Sequence, residues 1–359
     1  PCPLEVPFEA LCGAVQGDLP PMPKGREDYQ SRVVRLALLA YEEMRRPMAD
    51  AVARWGASRV GMVLGTSTGG IGETETAFDH YIVHGRAPEG YDFARQHAFC
   101  AFADVLREIA GTTGPRYVVS TACSSSTKVF GAAQRLLDAD IVDAVLVGGV
   151  DALCLTTVRG FHSLGVMADG ESRPFGENRP GLNIGEGAAL LLVERDGQAR
   201  ARLLGVGESS DAFHMSAPDP EGRGAQAAME QALAQAGLRP EDIDHVNAHG
   251  TSTPENDKME WVSLAQVLGP RAGTVPVTSN KSQIGHTLIA AGAVEAVISV
   301  MTMTEGVIPP TINHNDPDPE IGLDVVANSA RTARVRTILS NSFGFGGQNV
   351  CLVLAADPR

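Results

Sequence analysis

The six cysteines, at positions 2, 12, 100, 123, 154 and 351, form no CxxC pair and no His/Cys cluster at zinc spacing. That excludes a structural zinc site and, in a chain of 359 residues, a disulfide framework; a reducing cytoplasmic compartment is expected. Positive charge is also scarce: 29 Lys and Arg face 43 Asp and Glu, a formal net charge of −14. This balance excludes a nucleic-acid surface and would repel an acidic partner wherever cations are not gathered locally. No apolar run approaches the roughly 18 residues of a membrane span. No basic segment followed by an apolar block opens the chain, so neither membrane association nor secretion is expected. The loop Gly65-Thr66-Ser67-Thr68-Gly69-Gly70 lacks the GK[ST] ending of a phosphate loop and reads as a turn lining a substrate pocket. His80 and His84 share a helical face at i, i+4 without a third ligand candidate, and no metal site is expected.

What is present is enough apolar sequence, 43% of the chain, to bury a large core. Apolar stretches such as Val60 to Leu64 and Ala144 to Val150 read as buried strands, and amphipathic segments such as Ser31 to Met44 and Phe99 to Ile109 as helices. Their alternation indicates α/β architecture with parallel sheets covered on both faces. Arg26, Arg32, Arg35, Arg45, Arg46 and Arg54 give the N-terminal segment a basic cluster, either a solvated face or a docking surface for an acidic partner.

The chain is organised around Tyr117-Val118-Val119-Ser120-Thr121-Ala122-Cys123. This reads as a buried strand ending at a cysteine, with a helix over Thr127 to Ala139 behind it. A thiol at such a turn sits beside unpaired N–H groups and the positive end of a helix dipole, which favour a nucleophilic thiolate. Taken alone, the cysteine would more often be a small buried hydrophobe. In the second half, Ile243 to Asn247 reads as a strand ending at His249, and Val275 to Thr278 as another ending at Asn280-Lys281-Ser282-Gln283-Ile284-Gly285-His286. An apolar helix follows over Leu288 to Met303, and a last strand spans Asn349 to Leu354. Strand–TACSSS–helix and strand–SNKSQIGH–helix echo one another, which suggests two related halves, 1–199 and 200–359.

Four motifs stand in order: TACSSS at 121–126, HGTSTPEND at 249–257, NKSQIGH at 280–286 and NSFGFGGQN at 341–349. Together with SRPF at 172–175 and SSDAFHM at 209–215, the set resembles the elongating β-ketoacyl-[acyl-carrier-protein] synthases of the thiolase-like superfamily over nearly the whole chain. The resemblance implies a layered α-β-α-β-α fold and an acyltransferase that condenses a Cys-bound acyl chain decarboxylatively with malonyl-carrier protein. It implies Cys123 as nucleophile and His249 and His286 as the histidine pair, with Lys281 and Glu295 as a supporting charged pair. Asp257 and Glu260 would stand beside the active-site loop, and Thr251 and Thr253 would bind the phosphopantetheine arm. Phe345, with Phe343, Gly344 and Gly346, would form one gate and Asp211 to His214 another. Backbone N–H groups of Cys123 and Phe345 would hold the oxyanion. No cofactor is implied beyond the carrier's phosphopantetheine, and the expected partners are an acyl-carrier protein and a second subunit, identical or related. A non-catalytic chain-length subunit and a Cys-His thioesterase are the alternatives.

The chain departs from the family pattern in places. It starts at Pro1-Cys2-Pro3-Leu4, as though a first strand were missing, Gly176 replaces an Asp, and Ile284 and Ile289 stand where Thr and Gly are common. These touch pocket shape rather than catalytic groups.

Overall fold

Apolar strands that end in small residues and run into amphipathic helices are the local unit of this sequence. The computed structural model, which describes residues 1–357, shows how these units stack. The first part contains β1 (Cys12–Gly13), α1 (Arg32–Trp55), β2 (Val60–Gly65), α2 (Ile71–His84), α3 (Ala101–Ala110), β3 (Arg116–Val119), α4 (Ser125–Asp138), β4 (Ala144–Asp151), α5 (Leu155–Ser163), β5 (Ile184–Gly185) and β6 (Gly187–Glu194). The second contains β7 (Ala201–Ser210), α6 (Arg223–Ala236), β8 (His245–Asn247), α7 (Pro254–Leu268), β9 (Pro276–Thr278), α8 (Lys281–Ile284) and α9 (Ala291–Glu305). Short strands β10 (Val307–Ile308), β11 (Asp324–Val325) and β12 (Arg331–Thr332) lead to the closing hairpin of β13 (Thr337–Gly344) and β14 (Gln348–Ala356).

Two large sheets result, ordered β3-β2-β4-β6 and β11-β9-β8-β13-β14-β7, beside the two-stranded pairs β1-β5 and β10-β12. Each has a parallel part and an antiparallel edge, so neither is the purely parallel sheet expected: β4 pairs β6, and β14 pairs both β13 and β7, in antiparallel fashion. Side-chain alternation along the strands sets the layers. Met62 and Leu64 of β2 face α1 and α3, where they meet Leu36, Leu38, Phe102 and Leu106. Val63, between them, faces the other way, onto Val129, Phe130 and Ala133 of α4 and Ala296 of α9. In β14, Leu352 and Leu354 join that same middle layer, while Cys351 and Val353 face Met229 and Leu233 of α6 and Leu264 of α7. The order is helix, sheet, helix, sheet, helix, as the resemblance implied, with α4 and α9 enclosed between the sheets.

Enclosure explains one correction. Leu288–Glu305 is long and apolar enough to span a membrane by length and composition, although no such run was expected. It is 61% buried, because a helix between two sheets has little solvent face and reads as apolar nearly all round. A second correction concerns β3, expected to be buried. It is an edge strand, and its Tyr117 is 40% exposed. Helix α1 runs past the predicted Met44, through Pro47 to Trp55, because Met48 and Ala51 continue the same buried stripe.

The N-terminal arginines do not form an open basic patch. Arg26 pairs with Glu108, Arg32 with Glu186, Arg45 with Glu42 and Arg54 with Asp196. Arg35 donates to the carbonyls of Leu19 and Pro20. Arg46 alone is left almost free, 3.8 Å from Asp50. Neutralised in this way, the cluster offers an acidic partner little net charge.

Candidate active site

Four chain junctions converge between the two sheets: β3 to α4, the loop after β8, the loop after α8, and the β13–β14 turn. They bring Cys123, His249, His286, Phe343 and Phe345 to the wall of one narrow cavity of ≈ 50 Å³, with Thr251 and Thr253 also lining it. The three side chains on which the chemistry depends therefore share a single space.

Cys123 follows Ala122, whose φ of 50° puts a non-glycine residue in the left-handed region. Ser125 holds this elbow: its Oγ accepts from the Thr121 N–H at 2.5 Å and donates to the Ala122 carbonyl at 2.7 Å. The thiol is 6% exposed. Its own backbone N–H and that of Phe345 favour the sulfur anion, and the Lys281 charge acts in the same direction. Burial nevertheless outweighs all three and pushes the thiol up to about 11. The expectation of a resting thiolate is overturned, because removing a sulfur anion from water costs more than one helix end and two amides return. Sulfur must lose its proton in the course of reaction.

His249 and His286 meet edge to face, with ring centroids 5.4 Å apart, and Phe343 covers His249 at 5.7 Å. Burial first, and then the Lys281 charge, hold both imidazoles well below their usual range, and His286 adds to the effect on His249. Both are neutral at pH 7. His249 Nδ1 and both ring nitrogens of His286 have no hydrogen-bond partner among the described residues. Their backbones are fixed from behind. The His249 and Gly250 N–H groups donate to Glu260 at 2.8 Å each, and the His286 N–H donates to the Asn183 carbonyl at 2.7 Å. Asp257 accepts from the Phe175 and Ser252 N–H groups, tying the SRPF turn to the histidine loop. Lys281 pairs with Glu295 at 2.5 Å, both nearly inaccessible. Lys281, Glu295, Asp257 and Glu260 do not line the cavity. They act on it through backbone and field.

Burial raises Glu260 to about 7. A carboxyl group held above its unfolded value binds a proton in the native state that the unfolded chain has already released. Its contribution to stability is therefore present below the unfolded value near 4.5 and lost as pH rises through about 7. The buried histidines have the opposite slope, losing stability below about 6.5. Thermal midpoints of wild type and Glu260→Gln across pH 4.5–7.5 separate the two. The wild-type advantage over Glu260→Gln should shrink with rising pH, and a pH-independent difference would refute the assignment.

The GFGG turn lies directly on the nucleophile: a Cβ at Gly344 would sit 3.2 Å from the Thr121 carbonyl and 3.3 Å from the Cys123 nitrogen. Gly346 and Gly347 have φ of 81° and 75°, conformations other residues seldom adopt. This turn is joined to the second predicted gate, since the Gly346 N–H donates to Met215 O at 2.8 Å and the Asp211 N–H to Gly347 O at 2.9 Å. Asp211 lines the cavity and accepts from Asn349 Nδ2 at 2.6 Å. His214 does not reach it: this exposed ring accepts from the Ser216 and Ala217 N–H groups. In the cavity wall, the buried Thr251 and Thr253 hydroxyls are 2.9 Å apart.

Two features escaped the sequence. Only Ser67 of the Gly65–Gly70 turn lines a pocket; Thr66, Ser67 and Thr68 instead turn onto buried Asp151. That carboxylate accepts from three hydroxyls and from the Ser67, Thr68 and Ile289 N–H groups. An acidic residue ending the apolar strand AVLVGGVD was the available signal, because a carboxylate there must find donors. Asp151→Asn sets two amide hydrogens against some of these donors. The expected loss is about 2–4 kcal/mol, measurable by denaturant unfolding. The other feature is a second, larger cavity of ≈ 460 Å³, walled by α5 on one side and by Leu288 and Ile289 on the other. Cys123, Phe161 and Phe345 line both cavities, and the two phenyl rings stack at 5.5 Å between them. Glu75 of α2 caps α5, accepting from the Leu155 and Thr156 N–H groups.

Residues 20–199 match the family described as "Beta-ketoacyl synthase, N-terminal domain" and residues 200–315 the one described as "Beta-ketoacyl synthase, C-terminal domain". Nodulation protein E of Rhizobium sp. (strain N33) is 34% identical, with 96% of this chain and 89% of that protein aligned. The 3-oxoacyl-[acyl-carrier-protein] synthase 2 of Coxiella burnetii is 35% identical over 88% of this chain and 80% of its own length. Among solved structures, the ketosynthase ApeO in complex with its chain length factor ApeC, from Xenorhabdus doucetiae, superposes with a TM-score of 0.90 at 36% identity, covering 97% of this chain and 87% of that one. A buried cysteine under a GFGG turn, two uncharged histidines in the same cavity and full-length similarity converge: the chain belongs to the β-ketoacyl synthase family, acyltransferases of thiolase-like fold.

Proposed function

We propose that the chain takes an acyl group from a carrier protein onto Cys123 and condenses it with a carrier-bound malonyl group. The observation that carries this reading is the shared cavity of Cys123, His249 and His286. In the first half-reaction the Cys123 sulfur attacks the carrier thioester. Its proton passes to the departing carrier thiol by way of a neighbouring imidazole, and one thioester replaces another without loss of activation. The Cys123 and Phe345 N–H groups, which favour negative charge at Sγ, serve the oxyanion that forms beside it.

In the second half-reaction the malonyl carboxylate leaves as CO₂ and its electron pair moves onto the thioester as an enolate. Neutral His249 and His286 donate hydrogen bonds to that oxygen. The enolate carbon then attacks the Cys123 acyl carbonyl, the sulfur leaves and recovers a proton, and the β-ketoacyl product remains on the carrier. A dry cavity keeps the enolate from being protonated before it attacks. Thr251 and Thr253 in the cavity wall hold the phosphopantetheine arm, and the larger cavity behind Phe161 and Phe345 takes the acyl chain. Residues 1–199 thus supply the nucleophile and 200–359 the histidines and the turn.

The second subunit docks along the open edge of β3, where Tyr117 is exposed. An unpaired strand edge is suited to a second chain of the same fold, identical or related. A cytoplasmic setting agrees with six unpaired thiols. The test is intact-mass analysis after incubation with an acyl-carrier donor. The acyl mass should appear on Cys123 and disappear on addition of malonyl-carrier, with a β-ketoacyl carrier as product. Release of free acid instead would favour a thioesterase.

A further inference from the structure

Gly160 lies inside α5, among the residues that wall the larger cavity. A glycine inside a helix weakens it, so its presence needs a reason. Backbone conformation is not the reason, because Gly160 is absent from the residues with positive φ. Crowding is not the reason either. At Gly131 of α4 a Cβ would lie 2.5 Å from Glu208 Oε1, and at Gly292 of α9 it would lie 1.8 Å from Thr127 Oγ1, whereas at Gly160 it would meet no atom within 4 Å. Gly160 is partly buried, and the open space at its Cβ position adjoins the cavity that its helix walls.

The opposite wall cannot retreat. The Ile289 N–H is held by Asp151 at 3.0 Å, and its side chain packs over Gly65 and Gly149, filling the space a Cβ at either would need. A side chain at position 160 would therefore take its volume from the space behind Cys123.

We propose that Gly160 sets the length of acyl chain that Cys123 can carry, the absence of a side chain keeping the pocket open for long chains. The proposal rests on the reading of the larger cavity as the acyl pocket. Short acyl groups stay near the sulfur and do not reach the helix wall, while long ones pass beneath it. Position 160 is thus a volume dial on the substrate and takes no part in bond making.

The experiment loads wild type, Gly160→Ala, Gly160→Val and Gly160→Leu with acyl-pantetheine thioesters of two to sixteen carbons and follows acyl-Cys123 by mass. The ratio of sixteen-carbon to two-carbon loading should fall progressively from Ala to Leu, by about tenfold or more in Leu. Loss that is equal at every chain length, or long-chain loading unchanged in the Leu variant, would overturn the proposal. Should Gly160→Leu misfold, the graded response of the Ala and Val variants decides. A wild-type protein that accepts no acyl group would instead sink the ketosynthase reading.

Discussion

His249→Ala and His286→Ala proteins are expected to accept an acyl group on Cys123 and then stall. Both rings face the cavity uncharged, and His249 Nδ1 and both ring nitrogens of His286 have no hydrogen-bond partner among the described residues. Their hydrogen bonds are therefore available to an oxygen that becomes negative only during decarboxylation. A preorganised donor that meets charge only in the transition state is worth about 10²–10³ in rate. Each substitution should slow condensation by that factor, while acylation falls by about tenfold or less, because the Cys123 and Phe345 amides that favour the sulfur anion remain in place. Single-turnover mass measurements on acyl-Cys123, before and after malonyl-carrier is added, separate the two steps. Equal losses in both would place the histidines at the nucleophile rather than at the enolate. Because burial and Lys281 hold both rings well below 6.5, the wild-type condensation rate should show no acid limb centred between pH 6 and 7.

The second large effect is expected at the buried ion pair. Lys281 and Glu295 are 3% and 1% exposed, and Glu295 Oε2 has no further partner among the described residues. Replacing Lys281 alone by Met leaves Glu295, whose carboxyl burial already holds above its usual range, without its counter-charge in the middle layer. Breaking such a pair from one side costs about 3–5 kcal/mol. The double variant Lys281→Met, Glu295→Leu removes both charges and should recover most of that loss, as denaturant midpoints would show. If the single and double variants were equally destabilised, packing rather than charge would account for the pair. The double variant also removes the positive field on the histidines. Its imidazoles stay buried but titrate at higher pH, so the acid limb of condensation should move upward relative to wild type.

Some of this was legible from residue order. The cysteine, both histidines and the GFGG turn carry recognisable neighbours in the chain, because each sits at a strand end where small residues and glycines are required locally. Glycines at 346 and 347 with positive φ are such a local demand. Apolar strands alternating with helices pointed to α/β sheets covered on both faces, the five-layer order came from the resemblance, and the echo between TACSSS and SNKSQIGH pointed to two similar halves. Fully apolar α9 gave no sign of its place, since a helix between two sheets and one in a membrane present the same pattern.

The sequence by itself determined which chemistry the chain carries, since the identity of a nucleophile or an imidazole does not depend on its neighbours. Tertiary structure alone decided the state in which those groups wait. The same thiol that a helix end would ionise is kept protonated by burial, and the arginine cluster that looked free is paired to distant acids. It also decided that Asp151 organises the Gly65–Gly70 turn, and that the space beside Gly160 belongs to a cavity. Desolvation, pairing and cavity volume are sums over atoms far apart in the chain, and no local stretch contains them.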